Sequence, residues 1–249
     1  MSTAPRARRT RNIFDPKDGS AFSLSRSKIE LFVNCPRCFY LDRRLGIGQP
    51  PGFPFNLNSA VDHLLKKEFD RYRGAAKPHP LMQAHGIEAI PYSDSRLEEW
   101  RANFKGVTYR HTATNFILSG AVDDLWVNPA GEVIVVDYKA TSKEGEVGIE
   151  AEWQQSYKRQ MEFYQWLLRR NGLTVSKTGY FVYCNGRRDC EIFDSKLEFT
   201  IKIIPYVGDD TWVEQRIQDA HRCLVANEIP PASPNCYYCS YRVAAREVE

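Results

Sequence analysis

GAVDDLWVNPAGEVIVVDYK, residues 120–139, decides how this chain is read. Val133, Ile134, Val135 and Val136 are apolar at every position, as expected of a central strand covered on both faces. Before them, Asn128-Pro129-Ala130-Gly131 carries proline at the second turn position and glycine at the end. That fits a three-residue hairpin loop closed through a left-handed glycine. In that register Asp123 lies opposite Asp137, with Cβ atoms about 4.5–5.5 Å apart, and Lys139 projects from the same face as Asp137. Two carboxylates opposed on a half-buried sheet destabilise it unless a cation lies between them, and a hard divalent ion such as Mg²⁺ or Mn²⁺ suits oxygen ligands. Metal-held carboxylates position a water and stabilise charge on a phosphate, while an ammonium orients or activates the nucleophile. An Asp-x-Lys triplet alone says little, since an exposed salt bridge at a strand end has the same spelling. The apolar surroundings supply the specificity.

Outward from this hairpin the chain has 249 residues, enough for one or two domains with a substantial core. Its 34 Lys+Arg against 31 Asp+Glu, a net charge of +3, exclude a strongly acidic protein and prove no polyanionic partner. Residues 1–20 are expected to form a flexible basic arm and 21–249 a single domain. Ser27 and Glu30 spell a capping box, Pro36 fits a first helical position, and Asn58 can cap a helix carrying Val61, Leu64, Leu65 and Tyr72. Residues 74–95 show no sustained period. Residues 152–170 and 210–227 read as helices, and 177–184 and 190–204 as strands, so the pattern is α/β. No apolar run approaches the ~20 residues of a membrane span, and no secretory leader is spelled, so a soluble, cytoplasmic, reducing setting is expected.

Cysteines carry a second signal. Cys35-x-x-Cys38 and Cys236-x-x-Cys239 supply the four thiolates of a closed tetrahedral centre. If the pairs meet, the centre ties the two ends of the chain together and contributes folding energy to both. Zinc and iron–sulfur both accept such a set. Cys184, Cys190 and Cys223 read as small apolar fillers.

Together these features resemble the PD-(D/E)xK nuclease superfamily, and within it the RecB-like branch that includes the exonuclease of CRISPR adaptation and the AddB nuclease domain. The resemblance rests on Ser25-Arg26-Ser27-Lys28-Ile29 with Phe32 and Cys35-Pro36, on Gly120-Ala121-Val122-Asp123, on Asp137-Tyr138-Lys139, and on Gln160 with Tyr164. It implies a restriction-endonuclease-like core, a central mixed sheet flanked by helices, with a four-cysteine site joining the N- and C-terminal segments. It also implies a divalent-metal-dependent deoxyribonuclease acting in recombination, repair or CRISPR-type DNA processing. The expected substrate is DNA, single-stranded or with free ends, and a helicase or repair partner is expected beside it. Asp123, Asp137 and the Tyr138 carbonyl would bind Mg²⁺ or Mn²⁺, Lys139 would assist the attacking water, and Gln160 and Tyr164 would contact DNA or the site. Where the branch has a histidine ligand this chain has Asp62, with His63 and Glu68 as the other candidates. The branch's [4Fe–4S] cluster uses one early and three late cysteines. Cys35, Cys236 and Cys239 match three of these, and Cys38 would substitute for the fourth; zinc is the alternative. Arg43, Arg44, Lys66 and Lys67 could contact phosphates, and Tyr40 and Tyr164 could stack on bases. The rival reading is a catalytically inactive DNA-binding module stabilised by the four-cysteine site.

Overall fold

The hairpin forms in the register that its loop dictates. In the computed structural model, which describes residues 8–52 and 56–249, Asp124–Val127 pairs antiparallel with Val133–Thr141, from Asp124 opposite Val136 to Val127 opposite Val133. The paired register ends at Asp124 and Val136; Asp123 lies one residue before β5, and its Oδ2 accepts from Tyr138 N, next to Asp137, at 2.9 Å. Gly131 sits at φ 78°, where a Cβ would be strained. Its amide donates to Asn128 O at 2.9 Å, and Asn128 N donates to Glu132 O at 3.1 Å.

In chain order the elements are β1 (Phe22–Ser25), α1 (Arg26–Asn34), α2 (Pro36–Arg43), α3 (Asn56–Gly74), α4 (Pro80–Ala84), β2 (Ile90–Pro91), α5 (Leu97–Arg101), β3 (Val107–His111), β4 (Phe116–Gly120), β5 (Asp124–Val127) and β6 (Val133–Thr141). A 3₁₀ turn (Glu152–Gln154), α6 (Gln155–Arg170), β7 (Thr178–Gly186), β8 (Phe199–Val207), α7 (Thr211–Val225) and α8 (Tyr237–Arg246) complete the chain. The described residues fall into two compact units, one drawn from 1–53, 109–119 and 211–249, the other from 54–108 and 120–210. The fold is α/β, with mixed sheets and flanking helices.

The second unit is built on a five-stranded mixed sheet, order β2-β5-β6-β7-β8, in which β6 and β7 are parallel and the other neighbours antiparallel. Ile134, Val136 and Tyr138 of β6 face a core shared with Leu65 and Phe69 of α3, where Phe69 stacks on Trp126 at 5.5 Å. Alternation turns Val135, Asp137 and Lys139 to the opposite face, which α6 covers. Gly179 of β7 lies so close to Met161 that a Cβ there would collide with the thioether. Covered on both faces, the first six residues of β6 are buried.

In the first unit β1 lies parallel to β4, with β3 on the far side of β4. Asp42, with a side chain 1% exposed, draws in Lys28 at 2.8 Å, Arg43 at 2.9 Å and Arg9 at 2.9 Å. That need for counter-charge bears on the expected arm. Residues 1–7 lie outside the described residues, but from Arg8 the chain is tied down rather than free. Arg9 N donates to Gly46 O at 2.9 Å, and Phe14 N donates to Arg43 O at 2.7 Å. Phe14 is buried edge-on against Phe22 at 5.3 Å.

Several local expectations are corrected. α1 begins at Arg26 with Ser25 as its N-cap residue, and the Ser25 and Ser27 hydroxyls bond each other at 2.8 Å instead of capping. α3 starts at Asn56, so Asn58 is helical, and its Nδ2 donates to Ala140 O at 2.9 Å. The last strand begins at Phe199 rather than 190, which leaves Cys190 exposed on a loop. No described helix is long and apolar enough to cross a membrane.

Candidate active site and thiolate centre

A cavity of about 940 Å³ opens in the second unit where β5 begins and β6 ends, with Asp62, Lys66, Asp123, Lys139 and Tyr157 among its lining. Asp137 is buried beside it, side chain 1% exposed, and forms an ion pair with Lys139. The Lys139 ammonium is the cationic partner of Asp137, and Asp62 Oδ1 is buried without a hydrogen bond. Burial pushes the Asp137 carboxyl up to about 7, and the Asp123 charge adds to the rise against the opposing pull of Lys139. Burial works against the Lys139 ammonium too, but the charges of Asp137 and Asp123 outweigh it and hold its pKa above the ordinary value. Its Nζ sits 4.4 Å from the centre of the Tyr157 ring, a cation–π contact. Lys66 lies between two carboxylates, 2.8 Å from Asp62 and 3.8 Å from Asp123. Burial, then the Asp123 charge, raises the pKa of Asp62.

A buried network steadies this floor. Asp124, adjacent to Asp123 in sequence, is fully buried on the α3 side. Its Oδ1 accepts from Arg73 at 2.5 Å and Arg101 at 2.8 Å, and its Oδ2 accepts from the Tyr138 hydroxyl at 2.8 Å. Tyr138 N in turn donates to Asp123 Oδ2 at 2.9 Å, so one residue links the network to the cavity carboxylate. Neither Asp124 nor its arginines stand out in the sequence; only the hairpin register, which puts Asp124 one step inside Asp123, could have flagged it.

Three expected placements differ. His63 is exposed on another face of α3, and Glu68 pairs with His79 at 3.0 Å, so of the three ligand candidates only Asp62 lines the cavity. Tyr164 is buried, and a Cβ on Gly120 would fall 2.6 Å from its Cε1. Gln160 Nε2 donates to the Tyr164 hydroxyl at 3.3 Å, and α6 lines the cavity through Tyr157 instead. In the first unit Tyr40 is buried with its hydroxyl donating to Ala226 O at 3.1 Å; Arg43 is bound to Asp42, and Arg44 donates to Phe14 O at 3.1 Å. Tyr40 and Arg43 are thus buried, whereas Arg44 stays partly exposed.

The four cysteines do meet. Cys38 Sγ lies 3.6 Å from both Cys236 and Cys239, and Cys35 Sγ lies 3.9 Å from Cys239. All four ligand atoms fall within 4.8 Å of one another, the one such set of three or more metal-ligand side chains among the described residues. Burial disfavours a thiolate at Cys35, but amide donors from Ser233 and Cys38 outweigh it and bring the pKa down to about 7. The centre joins the N-terminal helices to the C-terminal segment.

The sequence profile of the PD-(D/E)XK nuclease superfamily matches residues 23–244. The chain belongs to that superfamily. Asp137-Tyr138-Lys139 spells the (D/E)-X-K half of the name, whereas Val122, not proline, precedes Asp123. The match runs from β1 into α8 and so takes in both cysteine pairs along with the hairpin. One solved structure, "Crystal structure of SSO0001", is 14% identical, with 91% of this chain and 86% of that chain covered and a TM-score of 0.40. No curated protein matches the sequence. Asp62 keeps a buried oxygen without a hydrogen bond, and Asp123, one residue before β5, is close enough to Asp137 to raise its pKa.

Proposed function

We propose that this chain is a divalent-metal-dependent deoxyribonuclease of the RecB-like branch, hydrolysing phosphodiester bonds in DNA offered as single strands or free ends. Asp137 carries the reading. Its carboxylate is 1% exposed, faces the Asp123 charge and has the Lys139 ammonium as its one cationic partner, an environment that a divalent cation would stabilise further. Asp137, Asp123 and Asp62 would hold Mg²⁺ or Mn²⁺, which when bound polarises a phosphoryl oxygen and lowers the pKa of a water.

The remaining roles fall to side chains already in place. Lys139, kept charged by Asp137 and seated on Tyr157, offers N–H donors to the attacking water and to a phosphate oxygen. Lys66 supplies a second ammonium between Asp62 and Asp123. Asp124, Arg73 and Arg101 hold Tyr138, and through its amide Asp123. Gln160 and Tyr164 act by positioning, since Tyr164 packs under Gly120 just ahead of Asp123. The branch resemblance supports a place in recombination, repair or CRISPR-type processing, beside a helicase or repair partner.

For the thiolate centre the spacing favours a single zinc ion over a cluster. With Zn–S bonds of about 2.3 Å a tetrahedron has S···S edges of about 3.8 Å, against 3.6–3.9 Å for three of the six pairs here, with the whole set within 4.8 Å. Four irons at the corners of a cluster would hold their thiolates further apart.

Labelled single- and double-stranded DNA incubated in Mg²⁺ or Mn²⁺ tests the nuclease reading. Wild-type protein is expected to cleave, and Asp137→Ala and Lys139→Ala to lose at least about 100-fold; cleavage retained in both variants would refute the assignment. The rival, a binding module without catalysis, draws on one observation: Lys66 and Lys139 already offset the carboxylates, and among the described residues no three carboxylate ligands converge within 4.8 Å as the thiolates do. Tight DNA binding with no cleavage in either metal would favour it.

A further inference from the structure

We infer that the mouth of the same cavity carries a base-binding subsite built on Trp153, which takes the face of an unpaired nucleobase beside the phosphate held at Lys139. The position of the phosphate rests on the nuclease reading; the aromatic geometry stands apart from it. Trp153 is 65% exposed, whereas Trp100, Trp126 and Trp166 are buried. One exposed ring alone is ordinary; what sets this one apart is its place on the lining of the cavity. The exposure is not slackness of the backbone. Trp153 sits in the 3₁₀ turn, which Gln154 locks from beneath: Gln154 Oε1 accepts from Ala151 N at 3.0 Å, and its Nε2 donates to Gly148 O at 2.6 Å and to the Tyr183 hydroxyl at 3.1 Å.

The indole stands edge-on to Tyr157, with ring centres 5.5 Å apart at 82°, and Tyr157 presents its face to the Lys139 ammonium at 4.4 Å. An unbroken aromatic path thus runs from the rim to the charge that would meet phosphate. Leu57 and Leu197, 61% and 39% exposed, line the same cavity with Phe199 and give it an apolar wall. An aromatic shelf next to an ammonium is complementary to a nucleotide, whose base stacks while its phosphate pairs. Inside a duplex both faces of a base are already stacked, so the subsite selects single strands and frayed ends.

The test uses Asp137→Asn protein, in which cleavage is removed without a chelator that could strip the thiolate centre. It is titrated in magnesium with a single-stranded oligothymidylate and with a blunt duplex of equal length. Tryptophan fluorescence is expected to be quenched by the single strand, weakly by the duplex, and not at all in the added Trp153→Phe variant. By anisotropy, added Trp153→Ala should weaken single-strand binding about 5- to 150-fold, the effect of losing about 1–3 kcal/mol of stacking, and Trp153→Tyr should recover most of it. Unchanged affinity in Trp153→Ala, with an unchanged circular dichroism spectrum, overturns the subsite. Equal quenching by duplex and single strand overturns it too. Trp153-dependent quenching in a wild-type protein that cleaves nothing would sink the nuclease reading and leave the subsite standing.

Discussion

Asp124→Ala should be among the most destabilising single changes in the second unit. Asp124 is fully buried, and Arg101, also buried, donates to it at 2.8 Å, with Arg73 at 2.5 Å. Asp70, 39% exposed, is the other anion of the group, accepting from Arg101 at 2.9 Å through both Nη atoms and from Arg73 Nε at 2.9 Å. Two guanidinium groups are thus balanced by two carboxylates. Alanine at 124 leaves one buried positive charge uncompensated, a loss of about 3–5 kcal/mol. The Tyr138 hydroxyl loses its acceptor in the same step, a cost that overlaps the first rather than adding to it. For a chain of this size the midpoint should fall by about 6–20 °C, at about 2–4 °C per kcal/mol. The control is Glu98→Ala. Glu98 is 87% exposed and lies 3.6 Å from the same Arg101, where solvent screens the pair. Urea and thermal unfolding of the two variants beside wild type should separate them widely. A loss below about 1 kcal/mol in Asp124→Ala, or equal losses in both, would refute the buried-charge reasoning.

Other expectations follow from the same geometry. Gly120→Ala should destabilise by about 1–3 kcal/mol, because the new methyl meets the buried Tyr164 ring at 2.6 Å, and Tyr164→Leu should relieve part of the loss; unfolding midpoints check both. Burial disfavours the charged form of Asp42, but Lys28 and Arg43 outweigh it and hold its carboxyl below the usual range. Its stabilising contribution is therefore complete above the unfolded value of about 3.9 and is lost as pH falls through the lower folded value. Asp42→Asn should flatten the acid limb of a stability–pH curve. Purified protein should be colourless and carry one zinc per chain, and zinc removal should expose α8 to proteolysis, because Cys239 is the one buried side chain in that helix. A brown protein rich in iron would reverse the choice of metal.

How far the fold could be read in advance depended on how local the signal was. Pro129 and Gly131 set the loop, the loop set the register, and the four consecutive apolar residues from Val133 marked a strand covered on both sides. All of that is encoded within about twenty residues. The cysteine spacing was equally local, and the two pairs meet. What failed was long-range. Arg73 and Arg101 reach Asp124 from separate helices, and no sequence period relates them. Tyr157 carries no signal of its own in the sequence, and only the packing of α6 against β6 brings Lys139 over its ring. α8 buries a single cysteine, so it shows no apolar stripe to be found. The strand expected from 190 failed because Ile192 and Phe193, apolar in sequence, are 74% and 73% exposed on the loop before β8. Among the third-ligand candidates, hydropathy could not choose between neighbours on α3; only the helix's rotation, which faces Asp62 inward and His63 to solvent, separates them.

The most direct test of the paired carboxylates is Mn²⁺ binding, followed by electron paramagnetic resonance on wild-type protein and on Asp137→Ala and Asp123→Ala. A signal from bound manganese in wild type, competed by magnesium and lost in both variants, is the expected result. Equal manganese binding by all three proteins, or none by wild type, would contradict a cation site between Asp123 and Asp137.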